Sequence, residues 1–244
     1  MINIPTQILT TERDCCDAAV LFVLLAGLYF FVKMCYYILY ILSVNEVEII
    51  KEISERRSIR KYASASVDAE DIRAVLRAGM LSPSAKNRQP WKFYVYSGDS
   101  KAALLDNMEK GLIREREGEK TLPGSYNGLP DAFNTLRIMR EAPVIIMVEN
   151  TNGSSPFVPV NADDRVTEIC DTLSVGAAVQ NILLTAQEMG YGTLWVANTC
   201  FAYNELTEFA GISGQLTGAV VLGVPDEKPS ARPRKTEDEV IIFR

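Results

Sequence analysis

The longest apolar run in the chain, residues 18–42, sets the first constraint on how it folds. It reads AAVLFVLLAGLYFFVKMCYYILYIL, which is 25 residues with Lys33 as the single charge. A helix needs about 20 apolar residues to cross a bilayer, so this length suffices for a membrane anchor. Lys33, Lys51 and the arginines beyond favour a cytoplasmic location for the part that follows. Two other interpretations stay open: a non-native upstream extension, with Met34 as an internal start, or a hydrophobic helix packed elsewhere.

The chain after this run has the pattern of a soluble domain. With 244 residues and 48% hydrophobic content, the protein is long enough to bury a full core. Ser43 and Glu46 have the spacing of a helix capping box and mark the first helix of this domain. We therefore predict two parts, a hydrophobic segment at 1–42 and a folded domain at 43–244, the latter located in the cytoplasm.

Composition excludes several classes of function. The formal net charge is −6, which gives no general attraction to nucleic acid. The chain has no histidine, so Ser-His and Cys-His nucleophiles and the common zinc hydrolase sites are excluded. Its five cysteines include no C-x-x-C pair, and we predict neither a metal site nor a disulfide framework.

Hydrophobic periodicity predicts strands interspersed irregularly with helices. A helix is expected from about Asp68, and a long, largely apolar helix over about residues 172–189. The charged stretch 107–141 is interpreted as an insertion or lid with helical ends. Strands are predicted at five places: WKFYVYSG from Trp91, PVIIMVEN from Pro143, GTLWVAN from Gly192, GAVVLGVP from Gly218 and EVIIF from Glu239. This order indicates an α+β or mixed α/β core.

The most basic stretch is RRSIRKY, residues 56–62. If it is extended, then Arg56, Ser58 and Arg60 lie on one face. Two guanidinium groups and a hydroxyl suit a phosphate, which accepts bidentate hydrogen bonds. The alternative is a solvated helix end, where arginines interact favourably with the helix dipole.

A second motif, SPSAKNRQPWKF, runs from Ser82 to Phe93. Pro83 ends the preceding helix, and Ser84 and Asn87 supply short polar groups on a turn. Such a loop could hydrogen-bond the edge of a flat heteroaromatic ring. An ordinary polar loop before the Trp91 strand is the alternative.

Taken together and in this order, RRSIRKY, SPSAKNRQPWKF and AAVQNILLTAQEMGYGTLWVAN resemble the nitroreductase family of FMN-dependent NAD(P)H oxidoreductases. The resemblance runs from about Glu46 to the C-terminus. It implies an α+β fold with a central mixed, mainly antiparallel sheet flanked by helices. It also implies an intertwined homodimer with FMN at the subunit interface, and leaves the N-terminal hydrophobic helix as an addition.

The resemblance also implies roles for particular residues. The first block would hold the FMN phosphate and ribityl chain, and a loop of the other subunit would reach the flavin. The strand after the long helix would place backbone beside the ring, although Ala197-Asn198 stands where many members have an acidic residue and glycine. The implied cofactor-binding residues are Arg56, Arg57, Ser58, Arg60, Pro83, Ser84, Asn87, Trp195, Ala197, Asn198, Arg232 and Arg234.

The implied activity needs no catalytic side chain, because the flavin N5 carries the chemistry. Hydride would pass from NADH or NADPH through FMN to a nitroaromatic, quinone or similar small-molecule acceptor, with ping-pong kinetics. Three alternatives stay open. They are a flavin-binding or redox-responsive module without turnover, a family variant such as a reductive dehalogenase, and a membrane protein with an interaction domain.

Overall fold

The computed structural model describes residues 27–36 and 49–244. Residues 50–244 form one compact unit, and the chain before residue 50 belongs to a separate one. Residues 27–36 are helical, with large apolar side chains such as Phe30 and Tyr36 exposed. The remainder of the apolar run and the predicted capping box at Ser43 lie outside the described residues. The division at residue 42 therefore stays a prediction.

The compact unit is built on a four-stranded sheet. Its strands confirm four of the five predicted segments: β1 Trp91–Ser97, β2 Val144–Asn150, β3 Gly192–Val196 and β4 Gln215–Gly223. The strands lie in the order β1-β2-β4-β3, and all neighbouring strands are antiparallel. Every residue of β2 is buried, which explains its nearly continuous apolar sequence.

Helices cover both faces of this sheet. They are α1 Lys51–Glu55, α2 Ala69–Met80, α3 Gly98–Glu117, α4 Leu129–Glu141, α5 Ala162–Glu188, α6 Tyr203–Ala210 and α7 Glu237–Val240, with 3₁₀ turns at Ala85–Asn87, Pro123–Gly128 and Asn198–Ala202. One core cluster packs α3, α4 and α6 on Ile145 and Met147 of β2, and the other packs α2 and α5 on Val144, Ile146 and Val148. Because successive residues of β2 point to opposite faces of the sheet, the core is divided in two.

The 56–62 segment extends the sheet beyond β3. Ser58 forms a parallel bridge with Thr193, and the Ile59 N–H donates to the Thr193 carbonyl at 2.9 Å. Ile59 is buried, as the alternating pattern of an extended segment requires. The bridge between Ser58 and Thr193 lies outside the named strands, so the sheet itself is antiparallel, and among the described residues this bridge is the one parallel contact.

Helix α5 is longer than predicted and begins ten residues earlier. Asn161 caps it by accepting a hydrogen bond from the Asp164 N–H at 2.9 Å. The prediction missed its first part because ADDRVTEICD is too polar to look like a core helix. Within the described residues, α5 alone has the length and composition of a membrane span, but nine of its side chains are buried in the domain core.

Two other expectations were wrong. The segment EVIIF is not a strand: a capping box between Thr236 and Glu239 starts the short helix α7, and residues 241–244 are exposed without regular structure. The stretch 107–141 is not an insertion, because Met108, Leu112 and Leu136 lie in the core. Only residues 118–128, between α3 and α4, leave the helical layer.

Candidate functional site

A basic cavity of about 500 Å³ lies where the 56–62 segment meets the chain near residues 229–234. It brings the arginines of RRSIRKY together with Arg232 and Arg234, which the family resemblance implied as cofactor-binding residues. Ser58 contributes a hydroxyl beside the arginines. The residues around the cavity are Ile53, Ser54, Arg56, Arg57, Ser58, Arg60, Pro229, Ser230, Ala231, Arg232 and Arg234.

The arginine side chains of this cavity lie close to one another. Burial lowers the pKa of Arg56, and the nearby positive charges of Arg234 and Arg57 lower it further. Among residues 49–244, no carboxylate forms an ion pair with the arginines of this cavity. Concentrated, partly buried cations of this kind are suited to an anionic ligand.

Backbone contacts fix the conformation of the 56–62 segment. The Arg60 N–H donates to the carboxylate of Glu227, and the Tyr62 hydroxyl donates to the Ile59 carbonyl at 2.9 Å. Burial raises the pKa of Tyr62, and the negative charge of Glu227 raises it further, so the phenol stays protonated. These contacts therefore hold the backbone of the segment in its extended conformation.

Arg57 differs from the other arginines of the cavity. Its Nη1 donates to the carbonyls of Ser54 and Arg56, each at 2.8 Å, at the C-terminal end of α1. The helix-end interpretation thus applies to Arg57, although it also lines the cavity.

A second cavity, of about 250 Å³, runs along β3 and meets the first at Arg60. Trp195 has 45% of its surface exposed here, and Asn198 lies at the end of the strand. The Asn198 Nδ2 donates to Asp131 Oδ2 at 3.2 Å and to Thr135 Oγ1 at 2.9 Å. The other residues around the cavity are Asn134, Ile138, Leu194, Val196 and Ala197.

The structure thus brings together nine of the predicted site residues: Arg56, Arg57, Ser58, Arg60, Arg232 and Arg234 in the basic cavity, and Trp195, Ala197 and Asn198 in the second. The remaining three, Pro83, Ser84 and Asn87, line neither cavity. They lie on a separate loop, where the Ser84 hydroxyl accepts a hydrogen bond from the Gln89 N–H at 3.0 Å.

Sequence reasoning missed the contribution of α4 to the second cavity. Asp131, Asn134, Thr135 and Ile138 follow one another at helical spacing, so they share a face of the helix. That spacing was the available signal, but it does not indicate which cavity the face borders. The contact of Glu227 with Arg60 spans 167 positions and had no local signal.

Comparison with known proteins agrees with this architecture. Residues 53–224 match the family model described as "Nitroreductase family". A protein of Archaeoglobus fulgidus named "Putative NADH dehydrogenase/NAD(P)H nitroreductase" is 30% identical over 188 residues, covering 74% of this chain and 88% of the relative.

Two solved structures share the fold. One, described as a "putative nitroreductase in complex with fmn" from Desulfovibrio desulfuricans, has a TM-score of 0.59 at 25% identity, covering 82% of this chain and 99% of that one. The other, a nitroreductase-like family protein from Bacillus cereus, has a TM-score of 0.59 at 22% identity, covering 82% and 97%. On the family match and the Archaeoglobus relative together, the chain belongs to the nitroreductase family.

Proposed function

We propose that this chain is an FMN-dependent oxidoreductase that uses NADH or NADPH to reduce nitroaromatic, quinone or similar small-molecule acceptors. The observation that carries the proposal is the cavity of closely spaced arginines that adjoins the second cavity at Arg60. One related structure holds FMN, and the Archaeoglobus relative is named for NAD(P)H, which supports the choice of both ligands.

The residues present fit FMN on chemical grounds. A phosphate monoester carries about −1.5 to −2 charges at neutral pH and accepts several hydrogen bonds. Arg56, Arg60 and Ser58 offer guanidinium and hydroxyl donors from one side, and Arg232 and Arg234 offer guanidinium groups from the other. A bound phosphate would also relieve the repulsion between Arg56 and Arg234 that lowers the Arg56 pKa.

The second cavity fits the flat ring of the same cofactor. Trp195 borders this cavity and is 45% exposed, and the chain turns away from β3 at Ala197 and Asn198, which leaves polar groups at this edge. When bound, FMN would supply hydride transfer, so the protein residues need only bind, orient and exclude water. Because the cofactor carries the chemistry, the enzyme needs no histidine as a general base or nucleophile, and the chain has none. Donor and acceptor would use this cavity in turn, with ping-pong kinetics.

We further propose a homodimer in which each subunit completes the other's site. Pro83, Ser84 and Asn87 line neither cavity of their own chain, yet belong to the motif that reaches the flavin in this family. Helix α5 exposes Val166 and Leu173 to 61% and 71%, which is unusual for a helix that otherwise packs in the core. Association of two copies would cover these side chains and bring the loops to the partner's cavity.

The double variant Arg56→Ala/Arg60→Ala tests the cofactor assignment. Charge-assisted contacts contribute about 1.5–3 kcal/mol each, so FMN affinity should fall more than a hundredfold. The measurement is the dissociation constant from a flavin titration. The control is Arg73→Ala/Arg137→Ala, which removes two exposed helix arginines. An unchanged flavin content in Arg56→Ala/Arg60→Ala would refute the assignment.

Turnover needs a separate experiment. Anaerobic addition of NADH or NADPH to the FMN-loaded protein should bleach the flavin absorbance, and a nitroaromatic or quinone should then restore it. A flavin-binding module without turnover would keep its colour on addition of either nicotinamide.

We also propose that residues 18–42 tether the enzyme to a membrane, with the folded domain in the cytoplasm. The described part of this run, residues 27–36, is helical with exposed apolar side chains. The full chain should sediment with membranes and require detergent for release, and a chain starting at residue 43 should not. Recovery of the full chain in the supernatant without detergent would contradict the tether.

A further inference from the structure

The 83–89 loop is held against α5 by side chains of that helix. Arg88 binds Asp171 through two nitrogens, with Nε 2.8 Å and Nη2 2.7 Å from Oδ1. The Ala85 N–H donates to the Ser174 hydroxyl at 3.2 Å. Just before the loop, Asn181 Nδ2 donates to the Ser82 hydroxyl at 2.8 Å. The loop therefore has fixed contacts at both ends and at its centre.

The backbone of this loop is in an unfavourable conformation. Lys86, Asn87 and Gln89 have φ values of 53°, 54° and 49°, in the left-handed region that non-glycine residues rarely occupy. Three such residues within four positions do not persist unless surrounding contacts impose them. Such strain often accompanies ligand-binding segments, where it fixes a geometry in advance.

The ion pair between Arg88 and Asp171 is the strongest of the contacts that impose this conformation. Its side chain is fully buried, and Arg88 is 27% exposed. Asn152 Nδ2 also donates to Asp171 Oδ2, at 3.1 Å, which orients the carboxylate. A buried carboxylate that depends on a loop arginine disfavours any conformation in which the loop leaves the helix.

The position of Asp171 also couples the loop to the proposed subunit contact. Asp171 and Ser174, which hold the loop, alternate along α5 with Ile169 and Leu173, which are exposed. One turn of the helix therefore presents both surfaces. When two copies meet at α5, the position of each loop relative to the contact is already set.

We propose that Arg88 and Asp171 are a positioning pair that pre-forms the 83–89 loop, so that Ser84 and Asn87 meet the partner's flavin without a further ordering step. This inference rests on the proposed function, because it concerns the same FMN site. Neither residue touches the cofactor. They act by raising the fraction of molecules whose loop is ready to bind, and apparent affinity is proportional to that fraction.

The test uses Arg88→Met/Asp171→Asn in the full chain, because removing only one partner would leave a buried charge unpaired. The amide oxygen that replaces the carboxylate can still accept the hydrogen bond from Asn152. Arg88→Lys keeps the charge but loses the two-nitrogen contact. The matched control is Arg137→Met/Glu141→Gln, which removes an exposed ion pair from α4. Each variant is compared with the unmodified chain well below its melting temperature.

Two readouts separate positioning from general stability. In Arg88→Met/Asp171→Asn, the dissociation constant of FMN should rise about tenfold, as when only about one molecule in ten has the loop formed. Amide hydrogen exchange at Ala85 and Gln89, whose N–H groups are bonded in this loop, should accelerate while that of the α5 core does not. Arg88→Lys should fall between the double variant and the unmodified chain, and the control should match the unmodified chain.

An unchanged FMN dissociation constant in Arg88→Met/Asp171→Asn would overturn the inference, whatever the exchange rates, provided that Arg56→Ala/Arg60→Ala loses FMN. If Arg56→Ala/Arg60→Ala also binds normally, the proposed function falls instead. Faster exchange in the loop together with weaker FMN binding would support the positioning role.

Discussion

Trp195 is the residue whose exposure most needs an explanation. It lies on β3, 45% exposed, in a chain with only two tryptophans. Gly176 and Gly218 lie beside the indole: a Cβ at these positions would be 3.8 Å and 3.6 Å from its ring atoms. The indole therefore lies on the α5 side of β3, beside two positions that carry no side chain.

We expect Trp195→Ala to weaken FMN binding about tenfold, since aromatic stacking and the lost apolar contact amount to about 1–2 kcal/mol. Trp195→Phe should retain most of the affinity because it keeps an aromatic face. Flavin titration measures both. Trp91→Phe is the control, as Trp91 packs with the α2–α5 core cluster. Equal affinities for the alanine variant and the unmodified chain would exclude stacking.

For individual residues, the sequence predicts features that depend on neighbouring positions, such as the side of an extended segment on which a side chain lies. The alternation in the 56–62 segment predicted one face for Arg56, Ser58 and Arg60; all three line the same cavity, but Arg57, predicted to turn away, lines it too. It did not predict Glu227, which binds the Arg60 backbone from 167 positions away. Contacts over such distances depend on the folded topology, which local patterns do not encode.

At the scale of secondary-structure elements, hydrogen bonds join the C-terminal end of α3 to the residues that follow it. The Glu115 carboxylate, with its side chain fully buried, accepts hydrogen bonds from the Thr121 and Leu122 N–H groups at 2.8 Å each. Arg114 binds Glu115 and also both carboxylate oxygens of Glu205 in α6. This network fixes the start of the connection between α3 and α4, residues 118–128.

The stability that this network contributes should depend on pH through the charge of Glu115. Burial opposes ionisation, but the Leu122 and Thr121 N–H groups and Arg114 together lower the Glu115 pKa below its usual value. A lowered folded-state pKa stabilises the fold above the unfolded pKa of about 4.3, and that contribution is lost as the pH falls through the folded value. The free energy of unfolding of Glu115→Gln should therefore be about 1–3 kcal/mol lower than that of the unmodified chain at pH 7. This difference should become smaller at acidic pH.

Urea unfolding at pH 7 and at lower pH measures this difference. Glu117→Gln is the matched control, because Glu117 is two positions away but its side chain is 61% exposed. If the loss of unfolding free energy in Glu115→Gln is the same at every pH, then the charge of Glu115 does not stabilise the end of α3.

Strong local signals predicted the elements well. Asp68, expected near the start of a helix, caps α2 by accepting from the Glu70 N–H, and four strands lie where alternation or apolar runs placed them. The failed predictions concern segments whose composition does not match their conformation. EVIIF has strand composition, but among the described strands none pairs with it, and a local capping box decides its conformation instead.

At the scale of the whole molecule, one chain leaves apolar surface uncovered. Ile169 and Leu173 of α5 are 52% and 71% exposed, and Ile242 and Phe243 of the C-terminal end are 75% and 94% exposed. Ile169 and Leu173 lie four positions apart on α5 and so share one face, and a contiguous exposed apolar patch on a soluble domain often marks a contact with another protein. A second copy is the simplest partner, because it would also supply the loop that the site lacks within one chain.

Leu173→Glu should therefore yield a monomer with weak FMN binding, since a charge in an apolar subunit contact is costly to bury. The domain itself should stay folded, because Leu173 faces away from the core that α5 forms with the sheet. Sedimentation gives the oligomeric state, and flavin titration gives the affinity. Ile113→Glu, on α3 and therefore on the opposite face of the sheet, is the control. A dimeric Leu173→Glu protein with normal FMN affinity would mean that α5 does not form the contact, and that the 83–89 loop reaches no partner through it.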